Sequence, residues 1–375
     1  MAIRFIHTGD WHIAKPFHRF DDEKAALLRY ARLRIPERIG ALAREVGAGH
    51  VLVAGDIFDT RLPADATLRR LSARLAQYPD IKWHMLPGNH DPATPNGLWR
   101  RFEELGRPEN VIVHHEAGVS ELTANADLLA SPLTARHVTR DPTAWMDDCA
   151  SESGRIRVGL AHGAVQGFGS SGEAGVLIDA DRAQKARLDY LALGDWHGVK
   201  EIGRRTWYAG TPEPDQFPAN EPGFALVVEI EAKGAPPRIT PHATARFTWA
   251  RHTIETDYSA RLAEIEQDLA QSGETASNRL LRIICSGRVN LQDESVLRRT
   301  IERLGDLAFH VEADFDALRI DADQPTSLLF DDEMTRSVAA RLMERMAAGD
   351  GGDDAVARRA LRILQDVAGG GEAAG

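Results

Sequence analysis

A chain of 375 residues is long enough for about two or three domains at ~150 residues each, and its 43% hydrophobic and 27% charged content excludes wholesale disorder, a fibrous repeat and a membrane channel. The 45 Lys+Arg against 56 Asp+Glu leave a net charge of -11, which excludes an all-over basic surface that grips nucleic acid unaided. Cys149 and Cys285 match no metal-ligand spacing, residues 1 to 13 lack the charged start and apolar run of a signal peptide, and no run approaches the ~18 apolar residues that span a bilayer, so the sequence reads as a reduced, cytoplasmic protein with no membrane partner.

Ile3 to Thr8 is an apolar-rich run ending in Gly9, Asp10 and His12, which predicts a buried strand whose carboxyl end carries polar chemistry. Leu27 to Val46 predicts a helix interrupted or kinked at Pro36, and His50 to Ala54 is again strand-like before Gly55-Asp56. Thr67 to Gln77 predicts a helix, and Ile81 to Leu86 a strand before Pro87-Gly88-Asn89-His90-Asp91. Ile156 to Ala161 before His162, and Tyr190 to Leu193 before Gly194, repeat the theme. Strand alternating with helix predicts an α/β layered core in which these strand ends converge.

Thr206 to Ala209 and Phe224 to Ile230 read as paired strands, and Lys233-Gly-Ala-Pro-Pro237 is a turn-rich break. A first domain is therefore expected at 1–240. Beyond it, strand (Arg251 to Thr256), helix (Ala260 to Ala270), strand (Leu280 to Ile284), helix (Glu294 to Leu304) and strand (Ala308 to Glu312) predict a small α/β domain at 245–322. Met334, Val338, Leu342 and Met346 recur every four residues, and Val356, Ala360, Ile363, Leu364 and Val367 follow a Gly/Asp-rich linker. These predict two amphipathic helices at 327–368, either packed on their own chain or docked on another protein. Residues 369–375 read as a disordered tail.

Five motifs rich in metal-binding side chains follow strand-like runs: Asp10-Trp-His12, Gly55-Asp56-Ile-Phe-Asp59, Gly88-Asn89-His90-Asp91, Ala161-His162-Gly163 and Gly194-Asp195-Trp-His197. Each alone is weak, because Gly-Asp pairs commonly just turn the chain. Together, on one rim of an α/β fold, their carboxylates, amide and imidazoles can surround two cations. Asp56 is the candidate bridge; Asp10, His12 and His197 would complete one site, and Asn89, His162 and Asp195 the other. Cations ~3.5–4 Å apart activate a shared water and hold a phosphate oxygen. His90 would then protonate the leaving oxygen, Asp91 would fix its tautomer, and Asp59 would steady the Asp56 loop.

These residues resemble the calcineurin-like metallophosphoesterases, with their Asp-x-His, Gly-Asp-x-x-Asp, Gly-Asn-His-Asp, lone His and Gly-His-x-His pattern, matched in order over residues 1 to about 230. His7-Thr-Gly-Asp-Trp-His12, Gly55-Asp-Ile-Phe-Asp-Thr60 and Trp207-Tyr-Ala-Gly-Thr-Pro212 look more particularly like SbcD-type DNA repair nucleases. The resemblance implies a layered metallophosphoesterase sandwich, a small α/β cap, and C-terminal amphipathic helices that dock on an SMC-like ATPase of SbcC type. It implies DNA as substrate, and a homodimer through the region near Arg61 to Tyr78.

One position departs: Asp195 stands where the family has the first histidine of Gly-His-x-His. A further carboxylate hardens the donor set, favouring manganese, or magnesium, over zinc, with iron also admitted by this ligand chemistry. The motifs serve two other readings, a phosphatase or phosphodiesterase on a non-DNA phosphoester, and a subunit that binds DNA ends without cutting. No DNA-contacting residue is singled out: Arg279, Arg282, Arg288, Arg298, Arg299 and Arg303 could form a patch, but solvated helix faces explain most of them. Trp11, Trp196 and Trp207 suit core packing better than base stacking, and His114 and His115 read as strand-end residues.

Overall fold

The computed structural model describes residues 2–149, 154–167, 176–217, 220–320 and 332–348, together with 356, 357, 359–361, 363 and 364. The chain divides into two units, Met1–Thr248 and Trp249–Gly375. In the first, β1 (Ile3–Thr8) leads through α1 (Asp22–Leu33) and α2 (Ile35–Val46) to β2 (His50–Val53), and α3 (Asp65–Leu75) leads to β3 (Lys82–Met85). Then come α4 (Leu98–Glu104), β4 (Val111–Val113), the antiparallel pair β5 (Gly118–Thr123) and β6 (Ala126–Ser131), and β7 (Ile156–His162). The short β8 (Ala164–Val165), β9 (Leu177–Ile178) and α5 (Arg182–Lys185) precede β10 (Tyr190–Gly194), β11 (Lys200–Gly203) and β12 (Thr206–Tyr208). The antiparallel pair β13 (Phe224–Ile230) and β14 (Arg238–Ala243) closes the unit.

Two six-stranded sheets result, in spatial order β14-β13-β1-β2-β3-β4 and β11-β12-β10-β7-β6-β5. The period-two alternation of β2 shows why they stack. Val51 and Val53 join a core with Ile39, Leu42, Leu68 and Leu71 from the helices, whereas Leu52 and Ala54 face Leu128, Leu160 and Ala192 of the other sheet. Leu129, Ala161, Leu191 and Leu193 on the far face of the second sheet are covered by Met146, Ile178, Ala183 and Ala186. The layered α/β sandwich expected from the sequence is the architecture of this unit.

The helix expected over Leu27 to Val46 is two helices that break at Arg34, with Pro36 in the first turn of α2, where its missing N–H leaves no hydrogen bond unmade. The sequence reading contained neither α4 nor the β5–β6 hairpin. β6 is buried at every position, so it shows no alternation to read.

In the second unit, β15 (Thr248–Ile254), β16 (Arg279–Val289) and β17 (His310–Ile320) form a three-stranded sheet, with β16 and β17 parallel. α6 (Tyr258–Gln271) and α7 (Leu291–Leu307) cover it through Leu262, Ile265, Leu269, Leu297, Ile301 and Leu304. The arginines weighed as a DNA patch are largely engaged by their own unit: Arg279 with Asp268, Arg282 with Asp314, Arg298 with Glu294 and Arg303 with Glu266.

α8 (Glu333–Ala348) follows, and 356, 357, 359–361, 363 and 364 are helical. The side chains that α8 buries are Ala339 and Met343, one position round from the stripe read in the sequence, and Met334 and Val338 are left 78% and 43% exposed. Val367 and the expected tail at 369–375 lie outside the described residues. Among the described residues, no helix is long and apolar enough to cross a membrane.

Candidate metal centre

Five strands deliver the site. Asp10 and His12 follow β1, Asp56 and Asp59 follow β2, and Asn89 and His90 follow β3, three neighbouring parallel strands of the first sheet. His162 ends β7, and Asp195 and His197 follow β10, parallel neighbours in the second. The loops are stitched by backbone hydrogen bonds: Asp10 N–H donates to Gly55 O, His12 N–H to Asp56 O and Asp59 N–H to Ile13 O. His90 N–H and Asp195 N–H donate to the carboxylates of Asp56 and Asp10, at 2.9 and 3.1 Å.

Two motif glycines are required by close approach. A Cβ at Gly55, which sits at φ 87°, would lie 2.2 Å from His162 Nδ1, and one at Gly88 would lie 2.2 Å from Asp56 Oδ1. Asp10, His12, Asp56 and Asp195 hold left-handed or similarly sparse backbone conformations at φ 52°, 43°, 51° and 107°. Such strain persists where the surroundings over-determine it, and it clusters here around one point.

The donor atoms form three overlapping triads, each within 4.8 Å: Asp10, His12 and His197; His12, Asp56 and His90; Asp10, Asp56 and His162. Asp195 Oδ1 lies 3.8 Å from His162 Nε2. Asn89 Oδ1 is buried without a hydrogen-bond partner.

The Nδ1 atoms decide the tautomers. His162 Nδ1 donates to Ala54 O at 2.8 Å, His90 Nδ1 to Asp59 O at 3.1 Å and His12 Nδ1 to Asp59 Oδ1 at 3.1 Å. His197 Nδ1 faces Asp215 Oδ1 at 3.6 Å, an ion-pair distance. In each neutral ring the lone pair is thereby left on Nε2. His162 Nε2 is buried with no hydrogen-bond partner, and His12 Nε2 and His197 Nε2 confront each other at 3.2 Å. Two facing lone pairs at that separation repel unless a cation or a proton lies between them.

The electrostatics carry the same sign. Burial alone would strip the His162 proton, but Asp56, Asp10 and Asp195 push this imidazole up to about 9. Burial pushes Asp10 up to about 6 against the pull of His197 and His162. Asp56, which burial would raise, is held below the usual carboxylate range by His162, His12 and His90. Burial lowers His12 to about 4 in spite of Asp59. The cluster is a pocket of negative potential lined by nitrogen lone pairs, a chemistry that suits a hard or borderline divalent cation.

All the residues read from the sequence as ligands thus meet on one rim, and His90 with them. Asp91 corrects the reading. Its carboxylate accepts from Gly88 N–H at 2.7 Å and Phe58 N–H at 3.0 Å, so both oxygens brace the backbone, and the hydrogen bond on His90 comes from Asp59 O instead. Asp59, expected to steady the Asp56 loop, has its carboxylate on His12. Trp11 donates to Thr8 Oγ1 in the core, Trp207 and Trp196 pack on two hydrophobic clusters, His114 pairs with His84 and His115 with Glu103.

The sequence reading missed Lys15, Arg32 and Asp215. Lys15 Nζ donates to Asp215 Oδ2 at 2.7 Å, and the fully buried Arg32 lies 3.4 Å from the same oxygen. A lone Asp215 in Thr211-Pro-Glu-Pro-Asp215 has no spacing that ties it to His197, so only the fold could reveal it.

Residues 3–199 match the family model described as calcineurin-like phosphoesterase. The SbcD component of the SbcCD nuclease of Rhodobacter capsulatus is 28% identical over 295 residues, covering 64% of this chain and 69% of that protein. A crystal structure that is 11% identical superposes with a TM-score of 0.43, covering 64% of this chain and 99% of the other.

Proposed function

The chain belongs to the calcineurin-like phosphoesterase family, and from that premise we propose that it is a two-metal DNA phosphodiesterase subunit that works in DNA repair with an SMC-like ATPase of SbcC type. The observation that carries the two-cation reading is the overlap of the triads: Asp56 and Asp10 each belong to two of them, with a different histidine in each. One cation would be held by Asp10, His12 and His197, the other by Asn89, His162 and Asp195, with Asp56 between. The residues fit such ions on an independent count, since the buried His162 Nε2 and Asn89 Oδ1 have no partner and the Nε2 atoms of His12 and His197 face each other. A carboxylate-rich donor set favours manganese or magnesium, and bound divalent ions would lower the pKa of water and neutralise phosphate oxygens.

The chain's own groups divide the remaining work. His90, which donates from Nδ1 to Asp59 O, presents Nε2, and in the doubly protonated ring that nitrogen is the acid that hands its proton to the departing oxygen. Asp59 keeps the His12 ring turned inward, and Asp91 fixes the Gly88–His90 backbone. Two features support a partner: Met334, Val338, Val356 and Ile363 are exposed on the C-terminal helical residues, and a net charge of -11 leaves DNA affinity to cations and a companion protein. Leu62, 80% exposed just after Arg61, is an apolar side chain that a second copy would cover.

The test is the purified full chain with end-labelled linear DNA beside a chromogenic phosphodiester, across Mn, Mg and Zn. Metal-dependent shortening of the DNA, strongest with Mn, is expected. Cleavage of the small diester with intact DNA, with or without the ATPase, would move the protein to the non-DNA phosphoesterases.

A further inference from the structure

Two of the four imidazoles in the cluster are braced by carboxylates, and one lysine reaches both. His12 Nδ1 lies 3.1 Å from Asp59 Oδ1, and His197 Nδ1 lies 3.6 Å from Asp215 Oδ1. Lys15 Nζ is 2.7 Å from Asp215 Oδ2 and 3.9 Å from Asp59 Oδ1. Arg32 lies 3.4 Å from the same Asp215 oxygen and donates from its two Nη atoms to the carbonyls of Trp11 and Glu213. The Asp215 side chain is 2% exposed and Lys15 29%.

The backbone is shaped to bring Lys15 there. Asp10, His12, Ala14 and Phe17 all take left-handed conformations, at φ 52°, 43°, 74° and 58°, four non-glycine residues within one turn of loop. That conformation returns Lys15 from beyond the ligand loop to the outer edges of both histidine pairs.

We propose that Lys15 and Asp215 are positioning residues, which lock the rings of His12 and His197 with both Nε2 atoms aimed at one cation. The inference rests on the metal-centre reading above. An imidazole whose Nδ1 has no anion beside it can swing or flip, and among the described residues His197 Nδ1 has no hydrogen-bond partner, only the charge of Asp215. Lys15 holds that charge in place and ties it to the Asp59 that orients the facing ring. Arg32, held by the carbonyls of Trp11 and Glu213, anchors the Asp215 side chain to the core. Lys15 therefore couples the two histidines without touching the cation.

Mn²⁺ binding to the full-length protein tests this, read by calorimetry and by the electron paramagnetic resonance of free and bound Mn²⁺. The visible absorption of the Co²⁺-loaded protein gives a second signature of ligand geometry. K15M keeps the aliphatic stem and leaves the Arg32–Asp215 pair intact, so it stays informative even if D215N fails to fold. Each variant is expected to weaken one Mn²⁺ by about 10–100-fold and to change the Co²⁺ spectrum, with D215E restoring part of both. The double variant K15M/D215N should bind little worse than D215N, because Lys15 acts mainly through Asp215, at 2.7 Å, rather than through Asp59, at 3.9 Å. Unchanged Mn²⁺ affinity and Co²⁺ spectrum in folded K15M and D215N, beside an H12A control that does lose a metal, overturn the positioning role alone. An H12A protein that keeps both metals sinks the metal centre and this inference together.

Discussion

His90 is the residue whose proposed work differs most from that of its neighbours. It shares a donor triad with His12 and Asp56, but the proposed function gives its Nε2 to the leaving oxygen rather than to a cation, so replacing it should spare the metals. His90→Asn is expected to lose about 10²–10⁴-fold in turnover while retaining the wild-type metal stoichiometry; metal loss would make His90 a ligand, and unaltered turnover would leave a binding subunit. Asp195 has the converse signature. Its Oδ1 stands 3.8 Å from His162 Nε2, and burial already raises its carboxyl. Asp195→His should remove a hard oxygen donor and raise the activity with Zn²⁺ relative to Mn²⁺; an unmoved metal preference would take Asp195 out of the ligand set. The candidate ligands were legible because each follows a short apolar run within a recognisable motif. Lys15 and Asp215 were not, since 200 residues separate them and only parallel strands of two sheets bring their loops together. Asp91 was misread for a related reason: adjacency to His90 in the chain suggested a hydrogen bond that the backbone direction gives to Gly88 and Phe58 instead.

At the scale of elements, β2, β3 and β4 carry a row of stacked imidazoles that the sequence did not disclose. His50 Nδ1 is 3.1 Å from His84 Nε2, and His84 Nδ1 is 3.2 Å from His114 Nε2. One direction of donation runs through all three only if the central ring and the accepting end ring are neutral. Burial lowers His50 and His114 to about 4, with Lys82 adding to the effect at His50 and His115 at His114, and burial with His114 and His50 lowers His84 further. Because these folded-state values lie below the ordinary 6.5, the unfolded chain binds more protons as the pH falls. Their contribution is thus fully present above about pH 6.5 and is lost between there and about pH 4. Thermal melts should show Tm falling over that window, and His50→Gln/His114→Gln should flatten the fall by at least ~2–4 °C, the equivalent of about 1 kcal/mol. An unchanged pH slope in that variant would place the acid lability elsewhere. Strand spacing explains the silence of the sequence: His50, His84 and His114 each read as an isolated polar residue until the register sets His84 opposite Leu52, two places from His50, and His114 just past the Met85–Val113 pair. The regular elements were easier, because β1, β2 and β10 have apolar runs ending in glycine, whereas α4 and the fully buried β6 present neither a long helical period nor an alternation.

The whole molecule couples a centre that needs cations to a chain that repels polyanions. The net charge is -11, and four second-unit arginines, Arg279, Arg282, Arg298 and Arg303, are paired to Asp268, Asp314, Glu294 and Glu266, so these four are not a preformed patch for DNA. If the proposed function holds, a partner that supplies DNA affinity docks on this chain, and the C-terminal helical residues offer the chemistry. α8 buries Ala339 and Met343 but leaves Met334 and Val338 outward, and Val356 and Ile363 are 67% and 56% exposed while Ala357 and Leu361 are buried. An amphipathic helix with apolar residues on its outer face as well as its inner one has a second surface to cover. Met334→Lys/Val338→Lys/Val356→Lys should therefore abolish co-purification with the proposed SMC-like ATPase, while cleavage of a chromogenic diester by the isolated chain, and its Tm, stay within error of wild type. The three positions lie outside the buried set, so a fall in Tm would mean that this face packs on its own chain, and retained co-purification would move the ATPase contact to another surface. The four-residue spacing made the helices legible in the sequence, but which stripe faces inward depended on packing one position away from it, and only the folded chain distinguishes the side that is used from the side that is offered.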